Sequence, residues 1–295
     1  MDFLPQGEIL SFEEIVRFGC VAAGLGIRKV RLTGGEPLLR KDLPRLVEML
    51  AATPGIEELA MTTNGILLAR YASALRAAGL QRLNVSLDTV STDKFEELTR
   101  RDELPQVLEG IAAARRAGFD QIKLNAVAIR GLTENEIVPL AKFAREHDLQ
   151  LRFIEFMPVH CDDLWSRQRV VSSAEILRIL SQSVGSLEPV SPSTAGSPAE
   201  EYRFLDGGGR IGLVPSVSRP FCGDCHRLRL TADGKLRNCL FSTRQWDVRA
   251  LLRAGGTDEQ LLHLLRSAVD AKKKARGTDD GQFAPADRPM YQIGG

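Results

Sequence analysis

The chain lacks an excess of charge, a long hydrophobic run and a framework of paired cysteines. Lys and Arg number 39 against 38 Asp and Glu in 295 residues, a net charge of +1, which does not favour a general polyanion binder. No apolar run approaches the roughly 18 residues of a membrane span, and the N-terminus lacks the features of a signal peptide. Five cysteines is an odd number for disulfides. These absences predict a cytoplasmic protein without membrane or nucleic-acid partners.

Short apolar strands alternate with amphipathic helices through the first two-thirds of the chain. Such alternation with short loops predicts an α/β fold with a parallel sheet and right-handed crossovers. Ser11 followed by Glu14 is typical of a capping box at a helix start. The predicted helices are 11–25, 41–52, 66–78, 104–117, 133–147, 173–183 and 257–274, and the predicted strands of this part are 28–33, 57–63, 82–88, 121–129 and 150–157.

A change of composition divides the chain. The stretch 186–200 is rich in Ser, Pro and Gly, which predicts a linker between a domain at 1–185 and a smaller region at 201–295. Two short strands, 201–205 and 210–214, flank a glycine-rich turn and predict a hairpin at the start of that region.

Each predicted strand carries polar residues on one face. Parallel strands covered on both sides are nearly all apolar, so this pattern predicts a water-accessible lumen or cleft. The cations Arg31 and Lys123 on those faces favour an anionic ligand such as a phosphate. The residues predicted to share the polar side are Lys29, Arg31 and Thr33; Thr62 and Asn64; Asn84, Ser86 and Asp88; Lys123 and Asn125; and Glu155 and Met157.

The first visible strand ends in a glycine-containing turn, Thr33–Pro37. Gly34 and Gly35 allow the backbone to approach a ligand or to adopt positive φ, and the Glu36 carboxylate can accept hydrogen bonds from an amine. An ordinary strand-to-helix turn has the same composition, so the motif by itself is weak evidence for a site.

Three cysteines form a C-x2-C-x13-C pattern, Cys222, Cys225 and Cys239, which indicates a metal site. A turn at 231–235 would return the third cysteine towards the first two. Two metal groups remain open. Structural zinc needs a fourth ligand, such as His226 or His160, whereas three thiolates suit a [4Fe-4S] cluster with one iron left for an outside ligand.

Arg227 and Arg229 follow the second cysteine closely and share one face if the segment is a strand, where they would bind a phosphate beside the metal. Cys20 is expected to fill the core beneath an amphipathic helix, and Cys161 is expected to be an incidental thiol in a loop. The lysine run 272–274 is expected to be a solvated helix end.

Several motifs in order resemble the molybdenum cofactor biosynthesis protein A family, the GTP 3′,8-cyclases of the radical S-adenosylmethionine (SAM) superfamily. The resemblance covers essentially the whole chain. Its motifs are Arg31–Pro37, Thr62–Gly65, Asn84–Asp88, Phe153–Pro158, Cys222–Gly234 and the terminal Gly294-Gly295.

The resemblance implies an incomplete parallel (βα) barrel of radical SAM type with a smaller C-terminal cluster-binding region. It implies a lyase that converts GTP to 3′,8-cyclo-7,8-dihydro-GTP with a 5′-deoxyadenosyl radical made from SAM by a reduced [4Fe-4S] cluster. A cyclic pyranopterin monophosphate synthase would take the product, a reductant would serve the cluster, and a homodimer is allowed. In a eukaryote the compartment would be the mitochondrial matrix.

The resemblance also implies roles for single residues. Arg227, Arg229, Gly294 and Gly295 would be catalytic. The three clustered cysteines would hold a second [4Fe-4S] cluster whose open iron meets the guanine. SAM would contact Gly34, Gly35, Glu36, Pro37, Ser86 and Met157, and GTP would contact Arg31, Thr62, Lys123, Arg227 and Arg229.

One departure from the family is large. A C-x3-C-x2-C motif that holds the SAM-cleaving cluster is absent from these 295 residues, and residues 1–10 resemble the segment that follows it in the family. The expectation is therefore that this chain alone does not start the radical. Two alternatives stay open, a catalytically inactive protein that binds GTP and one cluster, and a zinc-bound structural module.

Overall fold

The computed structural model describes residues 4–159, 165–191, 198–272 and 288–294. Helices and strands alternate largely as the sequence predicts, and the Ser11–Glu14 capping box is confirmed at the start of the first helix. Two details differ, because an unpredicted helix, Thr92–Thr99, precedes the one predicted at 104–117, and the helix predicted at 257–274 ends at Asp270. The helices are α1 Phe12–Gly24, α2 Leu43–Ala51, α3 Leu68–Ala77, α4 Thr92–Thr99, α5 Leu104–Arg116, α6 Ile137–Glu146, α7 Ser173–Ser183, α8 Val248–Arg253, α9 Asp258–Asp270 and α10 Met290–Ile293. The strands are β1 Lys29–Leu32, β2 Glu58–Thr63, β3 Arg82–Ser86, β4 Ile122–Ala128, β5 Gln150–Glu155, β6 Leu187–Val190, β7 Glu200–Phe204, β8 Arg210–Val214, β9 Arg229–Leu230, β10 Lys235–Arg237 and β11 Trp246–Asp247.

Eight strands form one sheet in the order β1-β2-β3-β4-β5-β8-β7-β6. Pairing from β1 to β5 and on to β8 is parallel, and β7 and β6 add an antiparallel hairpin extension. The α/β fold with an incomplete parallel barrel is thus confirmed. The segment 187–190, part of the predicted linker, is a strand of this sheet. The sheet therefore crosses the predicted boundary at 201 and includes the hairpin beyond it.

Two hydrophobic cores hold the elements together. In the larger one, the outward face of the sheet, with Met61, Val85 and Leu124, packs against the surrounding helices. In the second, Phe18 of α1 packs with Leu265 of α9 and with residues of α8 and β10. The C-terminal elements are therefore attached to the helix that precedes β1, the outer parallel strand. No helix in the described ranges combines the length and the apolar character needed to cross a lipid bilayer.

Glu155 lies away from the lumen, in contrast to its predicted place on the polar face. Its side chain is fully buried. One carboxylate oxygen accepts from the Ser173 backbone N–H at 2.8 Å and the Ser218 hydroxyl at 2.6 Å, and the other accepts from the backbone N–H groups of Val217 and Ser218 at 2.8 and 2.6 Å. Burial raises the pKa of this carboxyl, but the four hydrogen bonds outweigh it and lower the pKa overall. Glu155 thus fastens the 216–218 loop and the start of α7 to β5.

Replacing Glu155 by Gln should lower the free energy of unfolding by about 1–3 kcal/mol, because the new amide NH2 faces at least one backbone N–H donor whichever way it is turned. Urea unfolding followed by circular dichroism measures the change. The control is Glu188→Gln, which removes only a surface pair with Arg203 and should cost about 0–1 kcal/mol. Equal effects of the two substitutions would contradict the role given to Glu155.

Candidate functional site

The inner face of the sheet carries a group of cations on β1, β3, β4 and β5. The strand pairing places Asn84 beside Thr62 on one side and Lys123 on the other, and Asn125 beside Arg152. We call this group the lumen cations. They are Arg31 of β1, Arg82 of β3, Lys123 of β4 and Arg152 of β5.

Mutual repulsion and burial act on every member that shows a shifted pKa. Burial is the main cause that lowers the pKa of Arg31, and the charges of Arg152 and Arg82 add to it. Lys123 is 7% exposed. Burial, then the charges of Arg152 and Arg82, bring the pKa of Lys123 down to about 8. Loss of hydration and like charges both disfavour the protonated form, and an anion bound among these side chains would relieve both.

Two carboxylates partly balance the lumen cations. Glu58 pairs with Arg82 at 2.9 Å and with Lys29 at 3.6 Å. Glu201 of β7 is 7% exposed and accepts from Gln150 at 3.0 Å and Arg152 at 3.4 Å. The four lumen cations and Lys29 outnumber these two carboxylates, so this face has an excess of positive charge among the described residues.

Arg82, Arg152 and Glu201 were not predicted from the sequence. Arg82 precedes Asn84 by two residues and so shares its face, a signal that was available in the sequence. The sequence prediction places Glu155 on the inner face of β5. Arg152 is three residues away and so lies on the opposite face of the strand from Glu155, which is why it was not predicted. The side chain of Arg152 fits because β8 has Gly212 opposite it, where a Cβ would lie 2.8 Å from Arg152 Cγ.

Arg31 links the lumen cations to polar residues near the carboxyl ends of the strands. Its guanidinium donates to Thr62 Oγ1 at 3.4 Å, and it also donates to the amide oxygen of Asn84 when that amide is turned so that its oxygen faces Arg31. The charge of Arg227, in the C-terminal region, also lowers the pKa of Arg31, although less than burial does. The predicted set Arg31, Thr62 and Lys123 therefore lies on one face, with Arg227 close enough to act on it.

The turn after β1 is held from inside the protein. Both carboxylate oxygens of Glu36 are engaged, with Leu38 N–H at 3.0 Å, the Thr63 hydroxyl at 2.8 Å and Asn64 N–H at 2.7 Å. Gly34 has φ +144° and a Cβ there would meet open space, while Pro37 is buried. Glu36 thus fixes the turn, and the glycine leaves room above it. Ser86 is exposed at the end of β3.

The C-terminal tail reaches this same end of the sheet. Arg229 Nε donates to the carbonyl of Gly294 at 3.0 Å, and Gly294 has φ +75° with its α-carbon facing the Thr33 methyl group. Ile293 packs with Val159 and Leu240, and Met157 lies against that cluster. The predicted catalytic residues Arg229 and Gly294 are therefore in contact. Gly295, His160 and Cys161 lie outside the described residues.

Two of the three clustered cysteines, Cys225 and Cys239, lie near Arg229, and Cys225 also lies near Arg227. Burial brings the pKa of Arg229 down to about 10, helped by the charge of Arg227, while the thiolates of Cys225 and Cys239 oppose the shift. Burial raises the pKa of the Cys225 thiol, but the backbone N–H and charge of Arg227 outweigh it and lower the pKa overall. The hairpin β9–β10 that returns Cys239 is confirmed.

The donor set fits a group bound by thiolates. Cys222, Cys225 and Cys239 are free and half-buried, and cations adjoin them. In the part of the chain that the structure describes, no three His, Cys, Asp or Glu side chains are near enough to hold a metal ion. A multi-iron cluster bonds each thiolate to a different iron, so its cysteines need not meet at one point.

Two family models together match most of the chain, and curated relatives match it over its whole length. Residues 2–144 match the radical SAM superfamily model and residues 149–278 match the Molybdenum Cofactor Synthesis C model. A GTP 3′,8-cyclase from Rhodopirellula baltica is 48% identical, covering 100% of this chain and 83% of that protein. One from Streptomyces coelicolor is 46% identical, covering 100% and 87%. Among solved structures, Streptococcus suis SuiB bound to its precursor peptide matches with a TM-score of 0.49 at 19% identity, over 59% of this chain and 38% of that one.

Binding of inorganic triphosphate should weaken as the pH rises through about 8, because Lys123 loses its proton there. Below that pH the ammonium is present and attracts the anion. Calorimetric titration of triphosphate from pH 6.5 to 9.5 measures the effect.

Two variants isolate this titration. Lys123→Met should bind triphosphate weakly, and its affinity should not fall further as the pH passes 8. Lys123→Arg stays charged, so its affinity for triphosphate should not fall near pH 8 either. The same pH slope in wild type and Lys123→Met would refute the assignment.

Proposed function

The chain belongs to the GTP 3′,8-cyclase family of the radical SAM superfamily, and on this premise we propose how its residues divide the work of a cyclase in molybdenum cofactor biosynthesis. The reaction converts GTP to 3′,8-cyclo-7,8-dihydro-GTP. SAM and a [4Fe-4S] cluster supply, when bound, the radical that this chemistry needs. The observation that carries the residue assignment is the excess of cations on the inner face of the sheet.

The triphosphate of GTP binds the lumen cations. A triphosphate brings several negative charges to side chains that repel one another in its absence. Arg31 presents a planar donor set suited to phosphate oxygens, with Thr62 and Asn84 fixing its orientation. Lys123 and Arg152 extend the site along β4 and β5, and Glu201 holds Arg152 in place from β7.

Arg227 and Arg229 bind GTP between the lumen and the cysteines. Arg229 is the catalytic candidate that the tail contacts, since it donates to the Gly294 carbonyl. This contact orients the guanidinium and leaves its other N–H groups for the substrate. A rigid donor at the reacting nucleotide stabilises charge without reorganisation during the reaction.

SAM lies over the turn after β1. Gly34 and Gly35 leave room for it, Glu36 and Pro37 keep the turn in shape, and Ser86 and Met157 border the site at the ends of β3 and β5. Support comes from the open space at Gly34 and from the position of the turn at a carboxyl strand end, where ligands of such sheets bind.

Cys222, Cys225 and Cys239 hold one [4Fe-4S] cluster with an open iron for the guanine. The remaining cysteines, Cys20 and Cys161, cannot supply three further thiolates. We therefore expect the 295-residue polypeptide by itself to bind GTP and one cluster without cleaving SAM. The reductant, the downstream synthase and a homodimer remain predictions.

Replacing Arg31 by Met should weaken GTP binding by about tenfold or more, because one charge-assisted contact to phosphate contributes roughly 1.5–3 kcal/mol. Calorimetry on the 295-residue chain measures this without any radical chemistry. The control is Arg28→Met, just before the same strand, where the side chain pairs with Glu57 at the surface and affinity should not change. Equal affinity of both variants and wild type would refute the phosphate site.

The wild-type chain should hold about four irons after anaerobic reconstitution, and Cys222→Ser, Cys225→Ser or Cys239→Ser should each lose most of them. Cys20 is an exposed residue of α1, in contrast to its predicted place in the core, so Cys20→Ser is the control and should keep the irons. Iron, sulfide and zinc analysis decides the outcome. About one zinc and no iron per chain would support the structural zinc module instead.

A further inference from the structure

Lys272 joins the two segments that carry the cysteines. Its ammonium donates to the carbonyl of Arg227 at 2.8 Å and to the carbonyl of Asn238 at 2.6 Å. Arg227 lies two residues after Cys225, and Asn238 immediately precedes Cys239. One half-buried side chain thus bridges chain segments that are otherwise connected here through the short β9–β10 hairpin.

The position of Lys272 is itself fixed. Its backbone N–H donates to the carbonyl of Val269 at 2.9 Å in the last turn of α9. Asn238 is 3% exposed and donates its amide to the Ala268 carbonyl of the same turn at 2.9 Å. The end of α9 and the segment before Cys239 are therefore joined at two points. Since α9 belongs to the second core, this anchor is rigid.

The sequence predicted a different role for this residue, a solvated helix end. A lysine at a helix end normally remains in water, where its hydration is strong. Lys272 instead gives two of its three N–H donors to backbone carbonyls beside the cysteines. Its positive charge also lowers the pKa of the Cys225 thiol.

We propose that Lys272 is a positioning residue for the cluster, which holds the Cys225 and Cys239 segments at a fixed separation and places a positive charge beside the thiolates. This inference rests on the proposed assignment of the three cysteines to a [4Fe-4S] cluster. Lys272 acts through the backbone of its neighbours, and its contribution is to retention of the cluster and to the potential of the bound group.

Lys272→Met tests the proposal, because Met keeps the length of the side chain and removes both donors and the charge. In the reconstituted 295-residue chain, iron release to a ferrous chelator should become about five- to tenfold faster than in wild type. The midpoint potential of the cluster, measured by dye-mediated titration with electron paramagnetic resonance detection, should become more negative because a nearby positive charge stabilises the reduced, more negative form.

Lys272→Arg separates charge from packing. It keeps the positive charge and N–H donors, so it should restore the potential and most of the retention. Lys235→Met is the matched control. Lys235 lies in the small sheet of β9, β10 and β11, where its ammonium pairs with Asp247, so its loss should weaken the sheet without changing the potential.

The outcomes distinguish the proposal from its premise. A wild-type chain that holds no iron would refute the cluster assignment itself. A wild-type chain that holds the cluster, with Lys272→Met unchanged in release rate and potential, would overturn the role of Lys272 alone. Equal changes in Lys272→Met and Lys235→Met would also overturn it, since a general loosening of the sheet would then explain both.

Discussion

Repulsion among the cations on the inner face of the sheet is the constraint around which the site is arranged. Parallel pairing brings Arg31, Lys123 and Arg152 to one face of the sheet, where burial and neighbouring positive charges lower the pKa of each. Two buried or half-buried carboxylates offset part of this charge, Glu58 and Glu201. The remaining positive charge is available to an anion. The site is therefore already arranged to attract a triphosphate before the ligand binds.

Hydrophobic burial on the outward face of the sheet offsets the repulsion among the lumen cations. The apolar side chains of this face, with Met61, Val85 and Leu124 among them, are fully buried against the helices and form the larger core. Hydrophobic burial of this extent stabilises a fold that also holds unfavourable charges, since each fully buried aliphatic side chain contributes about 1.5–3 kcal/mol. On the same side, Glu155 joins β5 to the 216–218 loop and to α7 through four hydrogen bonds, which compensate for its burial.

The C-terminal region depends on the N-terminal segment as well as on the sheet. Arg253 donates to the carbonyl of Ile9 at 3.0 Å and pairs with Glu14 at 2.8 Å, and Leu10 N–H donates to the Ala232 carbonyl at 2.9 Å. The second core continues this contact through α1 and α9. The C-terminal region is thereby held against the segment that leads into the barrel, and Gly294, which accepts from Arg229, meets Thr33 just after β1.

The sequence by itself determined the alternation of helices and strands, the polar face of β1 to β4, the hairpins and the cysteine pattern, because each depends on residues close together in the chain. It did not determine the place of Glu155, Arg152 or Lys272. Their partners are distant in sequence, as in Arg152 with Glu201 and Lys272 with Arg227, 49 and 45 residues apart. Local periodicity places a side chain on one face of its element, but only the packing of elements decides which charges meet across the molecule and which polar groups are satisfied inside it.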